Sequence, residues 1–143
     1  MMRFLEFSHD SDWYRQMQEL RQEVLRRPLG LDLHAADLSA EAGYRHFGLE
    51  SGGRLVACLM VVPLPGKTVQ LRQMAVFPEQ QGRGLGRQLM RAVEEILRAD
   101  GIDRIRLNAR EVAAGFYTSL GYRIEGGPFV EVGIPHLLMV KTL

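Results

Sequence analysis

The sequence predicts an α/β (α+β) fold, a mixed sheet with helices packed on it, in a single domain spanning residues 1–143. Apolar residues switch repeatedly between strand-like and helix-like spacing along the chain. Glycine and proline turns separate these runs, and 143 residues suit one domain. No internal repeat, low-complexity tract or linker interrupts the pattern.

The elements follow in order. Phe4 to Phe7 reads as a short first strand. Ser8 to Asp12 supplies capping side chains for a helix carrying Trp13, Met17, Leu20, Val24 and Leu25, which should end before Pro28. Leu29 to Ala42 has no clear period and reads as a second short helix or a substrate-side loop. Tyr44–Leu49 and Leu55–Val62 form strands around Ser51-Gly52-Gly53-Arg54, whose glycines provide the positive φ of a tight hairpin. A turn at Pro63 to Lys67 leads into a strand over Thr68–Val76. Leu85, Leu89, Val93 and Leu97 share one helical face, and Gly101 ends that helix. Ile102–Asn108 is a strand, Glu111–Leu120 a helix with Val112, Phe116 and Leu120 on one side. Tyr122–Glu125 and Leu137–Val140 are the last strands, joined by the turn-rich stretch from Gly126 to Pro135.

Composition narrows the function. Hydrophobic residues make up 46% and charged residues 24%, which suits a packed globule rather than a disordered chain. A formal charge of +1 gives no reason to expect nucleic acid or a membrane surface as partner. The densest basic pair, Arg26-Arg27, reads as a solvated helix end. One cysteine, Cys58, excludes an intrachain disulfide and fits a reducing cytoplasm; its apolar neighbours make it a small core residue. Met1 to Asp10 lacks the apolar stretch of a signal peptide, and no run approaches a membrane span.

Gln81-Gly82-Arg83-Gly84-Leu85-Gly86 lies between a strand and the most amphipathic helix. Amides at a helix start lack intrahelical acceptors and sit at the positive end of the dipole, and glycines let a phosphate approach them. A plain packing turn is the other reading of the same residues. The Walker motif needs Lys and Ser or Thr where Arg87-Gln88 stand, and Gln88 also occupies the place of the third dinucleotide-fold glycine.

Met74-Ala75-Val76-Phe77-Pro78, the glycine turn from Gln81 to Gly86, and Ala113-Ala114-Gly115-Phe116-Tyr117-Thr118-Ser119-Leu120-Gly121-Tyr122 resemble, in this order, the signature of the GNAT superfamily of N-acetyltransferases. The tail Gly127 to His136 resembles a bacterial subgroup of ElaA-like and YjcF-like proteins. The resemblance implies one N-acetyltransferase domain with a mostly antiparallel sheet, helices on both faces, and fourth and fifth strands that splay apart. It implies acetyl-CoA as cosubstrate, with no metal. The amides of Gln81, Gly82, Arg83, Gly84, Leu85 and Gly86 would hold the pyrophosphate, and Met74, Ala75 and Val76 would pair with the pantetheine arm. An amide near Met74 or Val76 would polarise the acetyl carbonyl, with Phe116 and Tyr117 beside the cofactor and Tyr117 next to its sulfur. Many members carry Asn where this chain has Arg110, so Asn108 becomes the candidate for that contact.

Transfer to an amine needs a neutral amine, donors for the oxyanion and a proton for the thiolate. Tyr117, neutral at physiological pH, is the candidate acid. Arg72 and Gln73 stand where some relatives place a carboxylate, so the candidate bases are His136, Glu131 and Glu125. His46 reads as structural or solvent-facing, and no spacing suggests a metal site. The acceptor is a small-molecule or peptide amine, and a homodimer is left open. A non-catalytic acyl-CoA-binding module is the alternative.

Overall fold

The computed structural model describes residues 2–33 and 38–143. Eight strands form one sheet: β1 (Arg3–Phe7), β2 (Arg45–Ser51), β3 (Arg54–Leu64), β4 (Thr68–Val76), β5 (Arg104–Arg110), β6 (Arg123–Ile124), β7 (Phe129–Glu131) and β8 (Ile134–Thr142). Their order is β1-β2-β3-β4-β5-β8-β6, with β7 also paired to β8. The β4–β5 pair is parallel and the others are antiparallel. Among the described residues three α-helices, α1 (Asp12–Arg21), α2 (Leu85–Ala99) and α3 (Ala114–Ser119), pack on it.

The two faces carry separate cores. Alternation sends Val69 and Leu71 of β4, and Ile105, Leu107 and Ala109 of β5, to one face, where they meet Leu85, Leu89, Val93 and Leu97 of α2. On the opposite face Tyr14, Met17 and Leu20 of α1 pack against Cys58, Met60 and Ala75. Cys58 is fully buried, as its apolar neighbours predict.

The turn chemistry follows the sequence closely. Gly52 and Gly53 take φ of 59° and 84°, the two positive angles of a tight hairpin. Ser11 caps α1 by accepting from the Tyr14 amide. The helical period expected to run to Pro28 changes form on the way: α1 ends at Arg21, a π turn covers Gln22–Arg26, and a 3-10 turn covers Arg27–Leu29. Of the aperiodic segment after it, Ser39–Gly43 is a 3-10 turn, and 34–37 lie outside the described residues. Two expectations need correction. Val112 does not share a helical face with Phe116 and Leu120; it lies in a 3-10 turn, 94% exposed, because the α-helix begins only at Ala114. The segment from Gly126 to Pro135 is more than turns, since β7 forms within it and folds back on β8 through Val132 and Gly133, with φ of 47° and 74°.

A buried polar cluster fastens α1 to the chain that follows it. Arg21 donates to both carboxylate oxygens of Glu41, at 2.7 and 2.9 Å, and the Tyr14 hydroxyl donates to the same carboxylate at 2.7 Å. Burial alone would raise the Glu41 carboxyl, but these hydrogen bonds outweigh it and hold it below the usual range. His46, buried on β2, meets the Glu41 carbonyl through Nε2 at 2.9 Å, the structural role open to it from sequence.

Removing one member of a buried pair strands the other charge. Glu41→Gln is expected to destabilise the fold by about 3–5 kcal/mol in denaturant melts; a loss below 1 kcal/mol would contradict the burial of Arg21. Burial pushes the Cys58 thiol up to about 12 from 9.0, so its contribution is intact below pH 9 and is lost as pH climbs toward 12. Between pH 9 and 10, stability should fall more steeply in the native chain than in Cys58→Ala, by up to about 1.4 kcal/mol per pH unit. Parallel slopes would show that the thiol does not titrate on unfolding in that range.

Candidate active site

The site opens where β4 and β5 part. Their pairing runs from Thr68↔Arg104 to Leu71↔Leu107 and stops, although β4 continues to Val76 and β5 to Arg110. A bulge lies at the parting point. On β3, Met60 faces Arg72 but Cys58 faces Ala75, so β4 carries one extra residue between them. Gln73 takes φ of 60° there, a strained angle for a residue with a Cβ, costing about 1–3 kcal/mol. Arg26 of the π turn donates to the Gln73 side-chain oxygen at 3.3 Å, and the Cys58 thiol approaches its carbonyl at 3.6 Å. Both contacts hold the bulge in place.

A cavity of about 330 Å³ occupies the gap. From the α2–α3 face it is lined by Leu71, Met90, Leu107 and Tyr117; from the other face by Arg26, Arg72, Asn108, Arg110, Glu131 and His136. Tyr117 is nearly buried, 9% exposed, with its ring edge against Phe116 and Tyr122 at 5.0 and 5.8 Å between centroids. Burial pushes its phenol up to about 12, and its hydroxyl has no protein partner among the described residues. Behind it, Glu94 of α2 accepts from the Tyr122 hydroxyl and from Lys141, each at 2.8 Å, and Lys141 also donates to the Leu120 carbonyl at 2.7 Å. That clamp ties α2, β8 and the end of α3 together and sets the position of Tyr117.

His136 and Glu131 meet because β7 folds onto β8. Phe129 pairs with His136 and stacks on its ring, and Glu131 Oε2 lies 3.4 Å from His136 Nε2. Nδ1 lies 2.7 Å from the Ile134 carbonyl, an acceptor only, so the proton belongs on Nδ1. Nε2 of the neutral ring therefore carries the lone pair, beside a carboxylate able to steady the imidazolium form.

The glycine turn stands at the start of α2. Gly82 and Gly84 have φ of 81° and 75°, and Gly84 caps the helix. Among the described residues no protein acceptor meets the amides of Gly82, Arg83, Gly84, Leu85 and Gly86. The Gln81 amide differs, since it already donates to the Pro78 carbonyl at 3.2 Å. Its side chain donates to the Val76 carbonyl at 3.0 Å and pins the turn to the end of β4. A Cβ on Gly86 would lie 3.3 Å from the Phe116 ring and 3.9 Å from Met74, so a side chain there would press the ring by a few tenths of an ångström. Arg87 donates to Ser119 at 2.7 Å, which keeps a guanidinium near the turn.

The fold thus gathers most of the residues singled out from sequence. Met74, Asn108, Glu131, His136 and Tyr117 line one cavity, while Phe116 packs between Gly86 and Tyr117. Ala75 is buried on the α1 face instead, and Glu125 pairs with Arg104 at 3.0 Å away from the cavity lining. Arg26 is not a solvated helix end; the π turn carries it into the cavity wall, half-buried. Arg72 and Arg110 also line the cavity. Strand alternation, which sets them opposite Leu71 and Leu107, was the signal for those two.

Comparisons with known proteins agree with this geometry. YyaT of Bacillus subtilis is 37% identical over 78 residues, 54% of this chain and 53% of that protein, so the chain matches about half the length of that relative. The structure of Escherichia coli ElaA superimposes with a TM-score of 0.86 at 21% identity, over 99% of each chain. An aminoglycoside 6'-N-acetyltransferase complexed with coenzyme A gives 0.82 at 18% identity, over 98% of this chain and 96% of that one. The model of the acetyltransferase (GNAT) family matches residues 7–122, and with the parted strands and the glycine turn in place the chain belongs to that family.

Proposed function

We propose that the protein transfers the acetyl group of acetyl-CoA to a primary amine by direct attack in a ternary complex. The observation that carries this reading is one continuous cavity at the β4–β5 gap, with Tyr117 on one face of the sheet and the His136–Glu131 pair on the other. Family membership and the coenzyme A complex of the aminoglycoside acetyltransferase support the choice of cosubstrate. Among the described residues the amides from Gly82 to Gly86 face no protein acceptor, and they lie at the helix's positive end, which fits a diphosphate. Met74 to Val76 runs along the strand edge that β5 has left, in position for the pantetheine arm.

The amine nitrogen attacks the thioester carbon, and the carbonyl oxygen takes up the charge beside backbone donors of the bulged strand. The His136 Nε2 receives a proton from the attacking nitrogen, and Glu131 offsets the resulting imidazolium charge. Collapse of the intermediate breaks the carbon–sulfur bond and leaves the amide. Tyr117 donates a hydrogen bond to the departing sulfur. With its phenol near 12 and the thiol near 8.5, complete transfer from tyrosine runs uphill, so the sulfur takes its proton from solvent and the His136 imidazolium returns its own to solvent. The cavity's chemistry on both faces disfavours a module that merely binds acyl-CoA.

Tyr117→Phe should lower kcat at least tenfold while CoA affinity stays nearly unchanged; undiminished turnover would remove Tyr117 from the mechanism. Because burial holds the phenol near 12, no falling limb of the rate profile below about pH 10 should belong to Tyr117. Gly84→Ala forces a Cβ into a left-handed position at a cost of about 1–2 kcal/mol. It should weaken CoA binding at least tenfold by calorimetry, and unchanged affinity would show that the turn does not hold the diphosphate.

A further inference from the structure

The acceptor side of the cavity has an unbalanced charge. Among the described residues, Arg26, Arg72 and Arg110 line it against the single carboxylate of Glu131, which is engaged with His136. Several arginines elsewhere find carboxylates, Arg3 with Glu50, Arg27 with Glu23, Arg54 with Glu79 and Arg104 with Glu125, whereas Arg83 and Arg87 meet only neutral side chains. Among the described residues, none of the three cavity arginines forms an ion pair; Arg26 reaches only the neutral Gln73 side chain. They also sit close enough to oppose one another. Burial first, and then the charges of Arg21, Arg110 and Arg72, lower the Arg26 guanidinium's hold on its proton. Gathering like charges in a half-enclosed space is unfavourable unless an anion joins them.

We propose, on the basis of the acetyltransferase reading above, that the acceptor is a small amine that also carries an anionic group, a carboxylate or a phosphate, and that Arg72 and Arg110 bind that group. Three features support it. Guanidinium forks match both anions and are the residue type chosen where such groups must be oriented. Arg110 pairs across the sheet with His136, so an anion held there places its own amine near the base. The arginines also repel a protonated amine, which favours the neutral form needed for attack. The same field works against polyamines and diamines, whose second cation has no anionic partner. The cavity volume, about 330 Å³, suits a molecule of amino-acid size beside the acetyl group.

The test is acetyl-CoA-dependent thiol release by the whole protein with amines matched in length. β-Alanine and γ-aminobutyrate carry a carboxylate, 3-aminopropylphosphonate carries a phosphonate, and propylamine and 1,4-diaminobutane carry no anion. The anionic amines should give kcat/KM at least tenfold above the others, the return expected from charged hydrogen bonds. The better of the carboxylate and the phosphonate identifies the anion. Arg72→Gln and Arg110→Gln should each reduce that preference at least tenfold, through KM, with CoA affinity unchanged. A preference for propylamine or the diamine, or a preference untouched in both variants, overturns the proposal. If no amine releases thiol, acetyl transfer is the reading that fails. Calorimetry with propionate and propylphosphonate on the CoA-loaded protein then decides the arginines: saturable binding lost in Arg72→Gln sustains the anion site, and no binding ends it.

Discussion

The site depends on one extra residue in β4. By placing Gln73 at a positive φ, the bulge ends the strand's pairing with β5 after Leu71 and opens the gap in which the cavity lies. Without it, a regular parallel pair would run on toward Val76 and Arg110, and the sheet would be closed. The strain of this residue is met by neighbours from two other elements, Arg26 from the π turn and Cys58 from β3. A distortion of the helix therefore serves a distortion of the strand, since the π turn is what carries Arg26 to the bulge.

Electrostatics divides the molecule into roles. The Arg21–Glu41 pair is enclosed and bidentate, with Tyr14 donating a third bond to the carboxylate, so it fixes position. Glu94 with Tyr122 and Lys141 does the same behind α3. Arg72 and Arg110 are charged, accessible and unpaired among the described residues, which is the condition of groups that await a partner. Paired charge braces the scaffold at these two clusters, and the cavity keeps arginines without a carboxylate among the described residues.

Much of this was legible from residues alone, for specific reasons. The hairpin at Gly52-Gly53 and the helix stop at Gly101 were readable because glycine takes those angles with least strain. The amphipathic period of α2 announced a helix covering a sheet. Three motifs in order led to the family, and the cavity joins Tyr117, His136 and Glu131 from segments read separately. What escaped was set by tertiary contact. Gln73 carries no local sign of a left-handed backbone, because Arg26 and Cys58 stabilise it from a distance in sequence. β7 is three residues long and exists by pairing with β8. The π turn looks like ordinary helix in its apolar spacing, so the inward course of Arg26 was hidden.

The parallel seam between β4 and β5 comprises four residue pairs, whereas β5 and β8 share seven. The sheet is accordingly close to two plates joined along a short weld, one built from β1 to β4 and the other from β5 to β8. The core beneath α2 spans that weld and holds the plates together, while a guest lying along the free edge of β4 would add pairing where β5 supplies none.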